Sequence, residues 1–409
     1  MKIIADMHIH SKHSRATSKT LDFENLEKYA GIKGINLLGT GDFTHPSWIK
    51  EIKKLKEEDG ILRTKQEYPF VLQTEISLIY SQDGKGRRVH HVVLAPSTEV
   101  VGQITEYLLK HGRVDYDGRP IFNIPSDEFV YELNKISDKI EVIPAHIWTP
   151  WFGMFGSKSG FDSMKDCFKD QKDKIHAIET GLSSDPAMNW RVKELDNIAI
   201  MSSSDLHSYW PWRLGREATI FELNKLTYDN LIKAIRNNEV DSTIEFWPEE
   251  GKYHYDGHRN CSIVMSPKES IKNKNLCPVC KKEMTIGVAH RVEELADSQR
   301  KGKPFVNLIP LSELISGINK WPVSSPKVWN IYNNLIKKFG NEINILLNVS
   351  KEEMLKVIDE KTADIIIKNR EQKIPFYPGY DGEYGKPIFS EEDKIEIKPK
   401  VLQKGLGDF

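Results

Sequence analysis

Lys2-Ile3-Ile4-Ala5-Asp6-Met7-His8-Ile9-His10 decides the fold. An apolar run ends in an acid and two imidazoles spaced two apart. Residues two apart on a strand leave the same face, so His8 and His10 point together from a strand end. The pattern recurs along the chain. Asp42 and His45 follow Ile35-Asn36-Leu37-Leu38, and Glu75 follows Phe70-Val71-Leu72. His90-His91 open Val92-Val93-Leu94, His146 ends Val142-Ile143-Pro144-Ala145, and Asp205-Leu206-His207 follows Ile198-Ala199-Ile200-Met201. One strand-end His is commonly just a satisfied polar residue, and a strand-end Asp is often a helix N-cap. Six such sites do not coincide by accident. They point to a β/α scaffold whose strand ends meet on one rim.

Strands are expected over 2–7, 35–40, 70–80, 87–95, 141–145, 175–180, 197–203 and 217–222. Amphipathic helices are expected over 22–33, 98–110 and 227–238. Such alternation implies a parallel sheet. The exception is 70–95, where Asp83-Gly84-Lys85-Gly86 reads as a hairpin turn. Near residue 245 the character changes. Residues 250–303 are poor in aliphatic runs and hold three of the four Cys, and helices resume over 311–318, 328–339 and 351–369. Residues 374–385 form a loop rich in Pro, Gly and Tyr. The expected units are a barrel over 1–245, a zinc-binding domain over 246–303 and a helical region over 304–409.

At 409 residues the chain exceeds one ordinary core. A net charge of −1 does not announce a nucleic-acid partner, although a local basic surface remains open. No apolar run is long enough to span a bilayer, and the first motif leaves no room for a secretory leader. A cytoplasmic location is expected.

The rim offers His8, His10, Asp42, Glu75, His91, His146, Asp205 and His207 as ligands and catalytic groups. These exceed what one ion uses, which favours a cluster of two or three metals: Zn, Mg or Mn. Such clusters suit phosphoryl displacement. His90 competes with His91 for one position, and His91 is the preferred one. His258-x-x-Cys261 and Cys277-Pro-Val-Cys280 have the spacing of a structural zinc knuckle, with His254 as the alternative to His258.

Asp-Met-His8-Ile-His10-Ser, the Thr-Gly-Asp42 segment, Glu75, Pro-Ala-His146 and Ser-Ser-Asp205-Leu-His207 together resemble the polymerase-and-histidinol-phosphatase (PHP) superfamily over about residues 1–245. The resemblance implies a distorted (β/α)7 PHP-type barrel with a multinuclear phosphoesterase site. Thr40-Gly-Asp42-Phe-Thr-His45 departs from the usual Thr-Asp-His and leaves the role of His45 open. Ser11–Ser18 also lacks the acid that often follows the first His pair.

Tyr253-His-Tyr-Asp-Gly-His-Arg-Asn-Cys261, the Cys-Pro-Val-Cys pair, Gly287–Ala296 and Glu179–Trp190 resemble the endonuclease Q family, and so does Pro378-Gly-Tyr-Asp-Gly-Glu-Tyr-Gly385. This likeness runs through nearly the whole chain. It implies hydrolysis of DNA 5′ to uracil, hypoxanthine, xanthine or an abasic site, leaving a 3′-hydroxyl and a 5′-phosphate. Damaged DNA is then the partner, with a DNA-binding role added to the helical region over 304–409 and recruitment by a sliding clamp left open. Trp148, Trp151, Phe152 and Trp190 are candidates to receive or wedge a base, and Lys281 and Arg291 are candidates to contact the backbone. The rivals are a small-molecule phosphatase, which gives the knuckle no use, and a non-catalytic nucleic-acid binder, which the full ligand set argues against.

Overall fold

The computed structural model describes residues 1–394; the expected C-terminal region extends to 409, and its last fifteen residues, 395–409, lie outside the described ones. The first strand, β1 (Lys2–Asp6), is followed by α1 (Phe23–Lys33), β2 (Leu37–Gly39) and the long hairpin β3 (Pro69–Gln82) and β4 (Lys85–Ala95). Next come α2 (Thr98–Leu109), α3 (Ser126–Ile136), β5 (Glu141–Pro144), β6 (Ala177–Glu179) and β7 (Ala199–Met201). The barrel part ends with β8 (Ala218–Glu222), α4 (Tyr228–Arg236) and β9 (Val240–Glu245).

β1 pairs in parallel with β2, β2 with β3, and β6 with β7. The hairpin turns at Asp83 (φ 52°) and Gly84 (φ 72°), the doubly left-handed geometry that matches strand twist. β4 is antiparallel to both β3 and β5. The expectation of parallel pairing for 217–222 is corrected. β8 lies antiparallel to β1, with Ile4 opposite Ile220, because the chain returns from β7 by a loop without a crossover helix. The strand β9, which the sequence pattern did not reveal, extends this edge antiparallel to β8. Phe305–Asn307 then pairs in parallel with β9, so the sheet includes residues from beyond the zinc-binding segment.

One buried cluster draws from every barrel strand up to β8, including Ala5, Leu37, Val71, Val92, Ile143, Ala177, Ala199 and Phe221. Leu231 and Ile235 of α4 pack against it. A larger cluster lies under the helices and continues into the C-terminal module.

That module contains α5 (Leu311–Asn319), α6 (Pro326–Phe339), α7 (Glu342–Leu347), α8 (Lys351–Met354) and α9 (Glu360–Arg370). The single helix expected over 351–369 is split. Asp359 accepts a hydrogen bond from the Thr362 N–H and so starts a new helix as its N-cap. Barrel and module meet at a buried ion pair, Lys33 Nζ to Glu342 Oε1 at 2.7 Å, with the two side chains 3% and 0% exposed. Lys33 also donates to the Pro211 carbonyl, while Glu342 accepts from the Tyr332 hydroxyl and the Leu311 N–H.

Removing one partner strands the other charge. Lys33→Met should therefore destabilise the protein by about 3–5 kcal/mol in urea unfolding. The double variant Lys33→Met/Glu342→Leu should recover much of that loss.

Candidate metal centre

Two donor groups share one carboxylate. His8, His10, Glu75 and Asp205 bring their ligand atoms within 4.8 Å of one another, and so do Glu75, His90 and His146. His10 Nε2 lies 3.0 Å from Asp205 Oδ1 and 3.2 Å from Glu75 Oε2. His8 Nε2 lies 3.5 Å from Glu75 Oε2. The other Glu75 oxygen is 2.6 Å from His90 Nδ1 and 3.3 Å from His146 Nε2. His146 (φ 32°) and Asp205 (φ 46°) hold left-handed backbone where their strands end, a strained geometry that clusters at functional sites.

A second layer orients the imidazoles. His8 Nδ1 meets both Glu179 oxygens, at 3.0 and 2.9 Å, which leaves Nε2 facing the centre with no hydrogen-bond partner. Glu179 also accepts from the His146 N–H. Asp42 acts the same way on His10 Nδ1 at 3.0 Å, and Ser11 and Ser14 donate to its other oxygen. Carboxylates behind histidines fix the tautomer and raise ligand basicity.

Burial alone would depress His8 and His10. Instead, Glu179, Asp205 and Glu75 hold His8 well above the ordinary imidazole range, and Asp42 and Asp205 do the same for His10. Burial would raise Glu75, but His90, Arg119 and His8 hold it well below the carboxylate range. Burial takes His90 down to about 4. A divalent cation held here would supply the positive charge that these carboxylates favour on His8 and His10. The crowded imidazole and carboxylate oxygen set, with an unpartnered His8 Nε2, fits Zn or Mn, with Mg tolerated through the carboxylates.

Several expected site residues lie elsewhere. His91 is corrected to His90. Ser77 pairs with His90 and Ile76 with His91 across the hairpin, so His90 shares the face of Glu75, and His91 points to Ser126 and Phe129 on the other face. Asp42 is corrected from ligand to buttress, because its oxygens are taken by His10 and two serines. The His207 ring lies 4.7 Å from that of His10, tilted by 54°, and outside both donor groups. His45 stacks on His13. Glu179 and Arg119 were missed. Glu179 ends the apolar run from Ile175 as the other rim residues end theirs. Arg119 sits in a loop without a sequence signal, and its Nη1 is 3.0 Å from Glu75 Oε2.

A cavity of about 340 Å³ opens beside His90, His146 and Asp205. Trp151, 37% exposed, lines it edge-on to Tyr253, and Phe152 lines it while packing on the His90 ring. His254 also lines it, with Nδ1 unpartnered and burial taking its pKa down to about 4. Trp148 is corrected: it is fully buried and donates to Asn189. Trp190 is corrected as well. It lies against Gly302 and Phe305, in a different depression. Arg291 is corrected too, because its guanidinium is spent on the Phe155 and Phe161 carbonyls, Asp162 and Glu294. Lys281 is exposed, in a left-handed position just after Cys280.

His258, Cys261, Cys277 and Cys280 form a third donor group within 4.8 Å, with His258 Nδ1 3.5 Å from Cys280 Sγ. His254 does not belong to it. All three thiols are free. The donor set fits tetrahedral zinc. The local core contains only Cys261, Ile263, Cys277 and Met284 as buried apolar members, so an ion would contribute much of the folding energy.

Fold and donor set define a β/α barrel protein with a shared-carboxylate metal centre and a Cys/His knuckle. A family model described as the MJ0043 C-terminal domain matches residues 310–373. The uncharacterized protein MJ0043 of Methanocaldococcus jannaschii is 34% identical over 72% of this chain, which spans 36% of that protein. The uncharacterized protein YqxK of Bacillus subtilis is 28% identical over 94% of this chain and 99% of its own length. The crystal structure of the lesion-specific endonuclease PfuEndoQ from Pyrococcus furiosus superposes with a TM-score of 0.85 at 31% identity, covering 100% of this chain and 98% of that one. Endonuclease Q in complex with a 27-mer duplex bearing an abasic lesion superposes at 0.86, again at 31% identity and with 100% of both chains covered. The chain belongs to the endonuclease Q family.

Elemental analysis of the purified protein should find zinc. Cys277→Ser should lose one equivalent of it and lower the melting temperature, whereas Glu75→Gln should leave that equivalent in place.

Proposed function

We propose that this protein is a DNA repair endonuclease. It hydrolyses the phosphodiester 5′ to uracil, hypoxanthine, xanthine or an abasic site and leaves a 3′-hydroxyl and a 5′-phosphate. The observation that carries this reading is Glu75, shared between two donor groups of which His90, His146 and Asp205 line a base-sized aromatic cavity. The relation to lesion-specific endonucleases supports the substrate class.

His8, His10, Glu75, Asp205, His90 and His146 would hold divalent ions, which supply Lewis-acid polarisation of a phosphate and acidify water. Glu179 and Asp42 keep His8 and His10 in register. Arg119, its side chain 28% exposed at the rim, offers donors beyond Glu75 to a phosphate oxygen. Trp151 and Phe152 accept a base taken out of the stack, and neutral His254 offers a hydrogen-bonding edge to it.

On this reading residues 1–245 perform the chemistry, 246–303 are organised by zinc, and 304–409 add DNA contacts. Three thiols that must stay reduced suit the cytoplasm. No helix among the described residues is long and apolar enough to cross a membrane. Recruitment by a sliding clamp is a separate question for pull-down.

A labelled duplex with one deoxyuridine, incubated with Mg or Mn, should be nicked 5′ to the lesion. Glu75→Gln should abolish nicking while gel-shift affinity persists, and Glu179→Gln should lower the rate roughly 10- to 100-fold. Trp151→Ala should weaken cutting of the uracil duplex. Hydrolysis of p-nitrophenyl phosphate without nicking would overturn the assignment in favour of a phosphatase, and a gel shift without any cutting would favour a binder.

A further inference from the structure

A second aromatic groove lies away from the cavity beside His90. The loop that continues from Asp205 and His207 carries Tyr209, Trp210 and Trp212. The Trp210 and Trp212 rings are stacked, with centroids 5.3 Å apart and planes within 6°. Trp329 of α6 closes on them at 5.5 and 5.7 Å. Tyr29 of α1 stacks on Tyr209 at 4.9 Å and lies 5.4 Å from Trp210. Tyr29, Trp210, Trp212 and Trp329 border a depression of about 510 Å³. The three Trp side chains are only half-buried, although each could have been taken into a core. Tyr332, at the base of the same depression, is fully buried, whereas the three Trp side chains keep part of their surface in solvent.

The chemistry at the edges is one-sided. Lys28, Ser324 and Asn333 are the polar groups lining the depression, and no carboxylate lines it. Lys28 Nζ sits 5.4 Å over the Tyr29 ring. Along Pro326–Phe339, α6 carries Lys327, Lys337 and Lys338 and no acidic residue. Stacked indoles beside a lysine, with no carboxylate in the lining, match a polyanion with flat apolar faces.

The groove is also tied to the rim. The His207 carbonyl accepts from the Ser18 N–H, and the Tyr209 hydroxyl accepts from Thr20 Oγ1 at 3.2 Å. Lys33 pins the Pro211 carbonyl between Trp210 and Trp212. The aromatic path therefore starts two residues from His207 and runs outward over α1 and α6.

We propose that this groove binds undamaged nucleobases of a single DNA strand, stacked on Trp210, Trp212 and Trp329, as a second nucleic-acid site separate from the lesion cavity. The proposal rests on the DNA-endonuclease reading. Stacking on an aromatic platform is indifferent to sequence, so the site holds the substrate strand wherever the lesion falls.

The test uses the full chain and an undamaged, labelled 20-nucleotide single strand, with affinity read by fluorescence anisotropy. Trp212→Ala and Trp329→Ala should each weaken binding roughly tenfold. Lys28→Glu, at an exposed position that leaves packing intact, should weaken it too and flatten the salt dependence. Tryptophan emission of the wild type should be quenched by the oligonucleotide, and less so in Trp212→Ala. Unchanged affinity in both Trp212→Ala and Lys28→Glu would overturn the proposal. So would quenching by a proline-rich peptide but not by the oligonucleotide, which would make the groove a peptide site. Nicking of the deoxyuridine duplex is measured in parallel. If the wild type nicks while the variants bind single strands normally, the groove proposal alone falls. If single-strand binding depends on the groove but no lesion is cut, the endonuclease reading falls.

Discussion

The Glu75 carboxylate is fully buried and in contact with His8, His10, His90, His146 and Arg119. A carboxylate removed from water costs several kcal/mol unless it is paired on every side. The partners come from four places in the chain: the segment after β1 (His8 and His10), β4, the segment after β5, and the loop before Pro120. The barrel must close for these groups to meet. Once they meet, both Glu75 oxygens are committed, one to each donor group. The outer carboxylates Glu179 and Asp42 continue the same logic, each taking the far nitrogen of an imidazole whose near nitrogen faces the centre.

The same electrostatic logic recurs where the helical module docks. Lys33 and Glu342 are both out of water, and each has further partners, so neither is left unsatisfied. The Pro211 carbonyl is one of those partners, and it belongs to the loop that leaves the rim at His207. The C-terminal module thus shapes a segment that begins at the metal centre. The knuckle is built differently: it has almost no apolar core, and three thiols and an imidazole are what bring its loops together.

Much of this was legible because strands announce themselves by short apolar runs, and rim residues sit where those runs stop. The longer strands from Lys2 to Glu222 followed from that rule, as did His8, His10, Glu75, His146 and Asp205, but the short strands Lys56–Glu58, Ile61–Arg63 and Ile121–Phe122 did not. Strand direction did not follow. Nothing in the composition of Ala218–Glu222 says that it runs antiparallel to β1, because direction depends on whether a helix or a loop precedes it. Aromatic roles were illegible for a related reason. Trp148 and Trp151 are three residues apart in one Gly- and Pro-rich run, yet one is fully buried and the other lines the cavity. Exposure is a property of the packed whole.

His90 shows where more was available than periodicity alone delivered. The two-residue turn at Asp83-Gly84 makes Gln82 face Lys85. Counting back along both arms puts Ser77 opposite His90 and Ile76 opposite His91. Side chains two apart share a face, so Glu75 and Ser77 lie together, and a cross-strand partner lies on the same face as the residue it opposes. His90 must therefore stand beside Glu75, and His91 must turn away into the apolar layer with Ile76. There burial takes its pKa down to about 3 and keeps it neutral. A one-residue slip of the hairpin would exchange the two histidines and empty the second donor group. The turn thus fixes which imidazole reaches the metal centre, from some twenty ångströms of strand away.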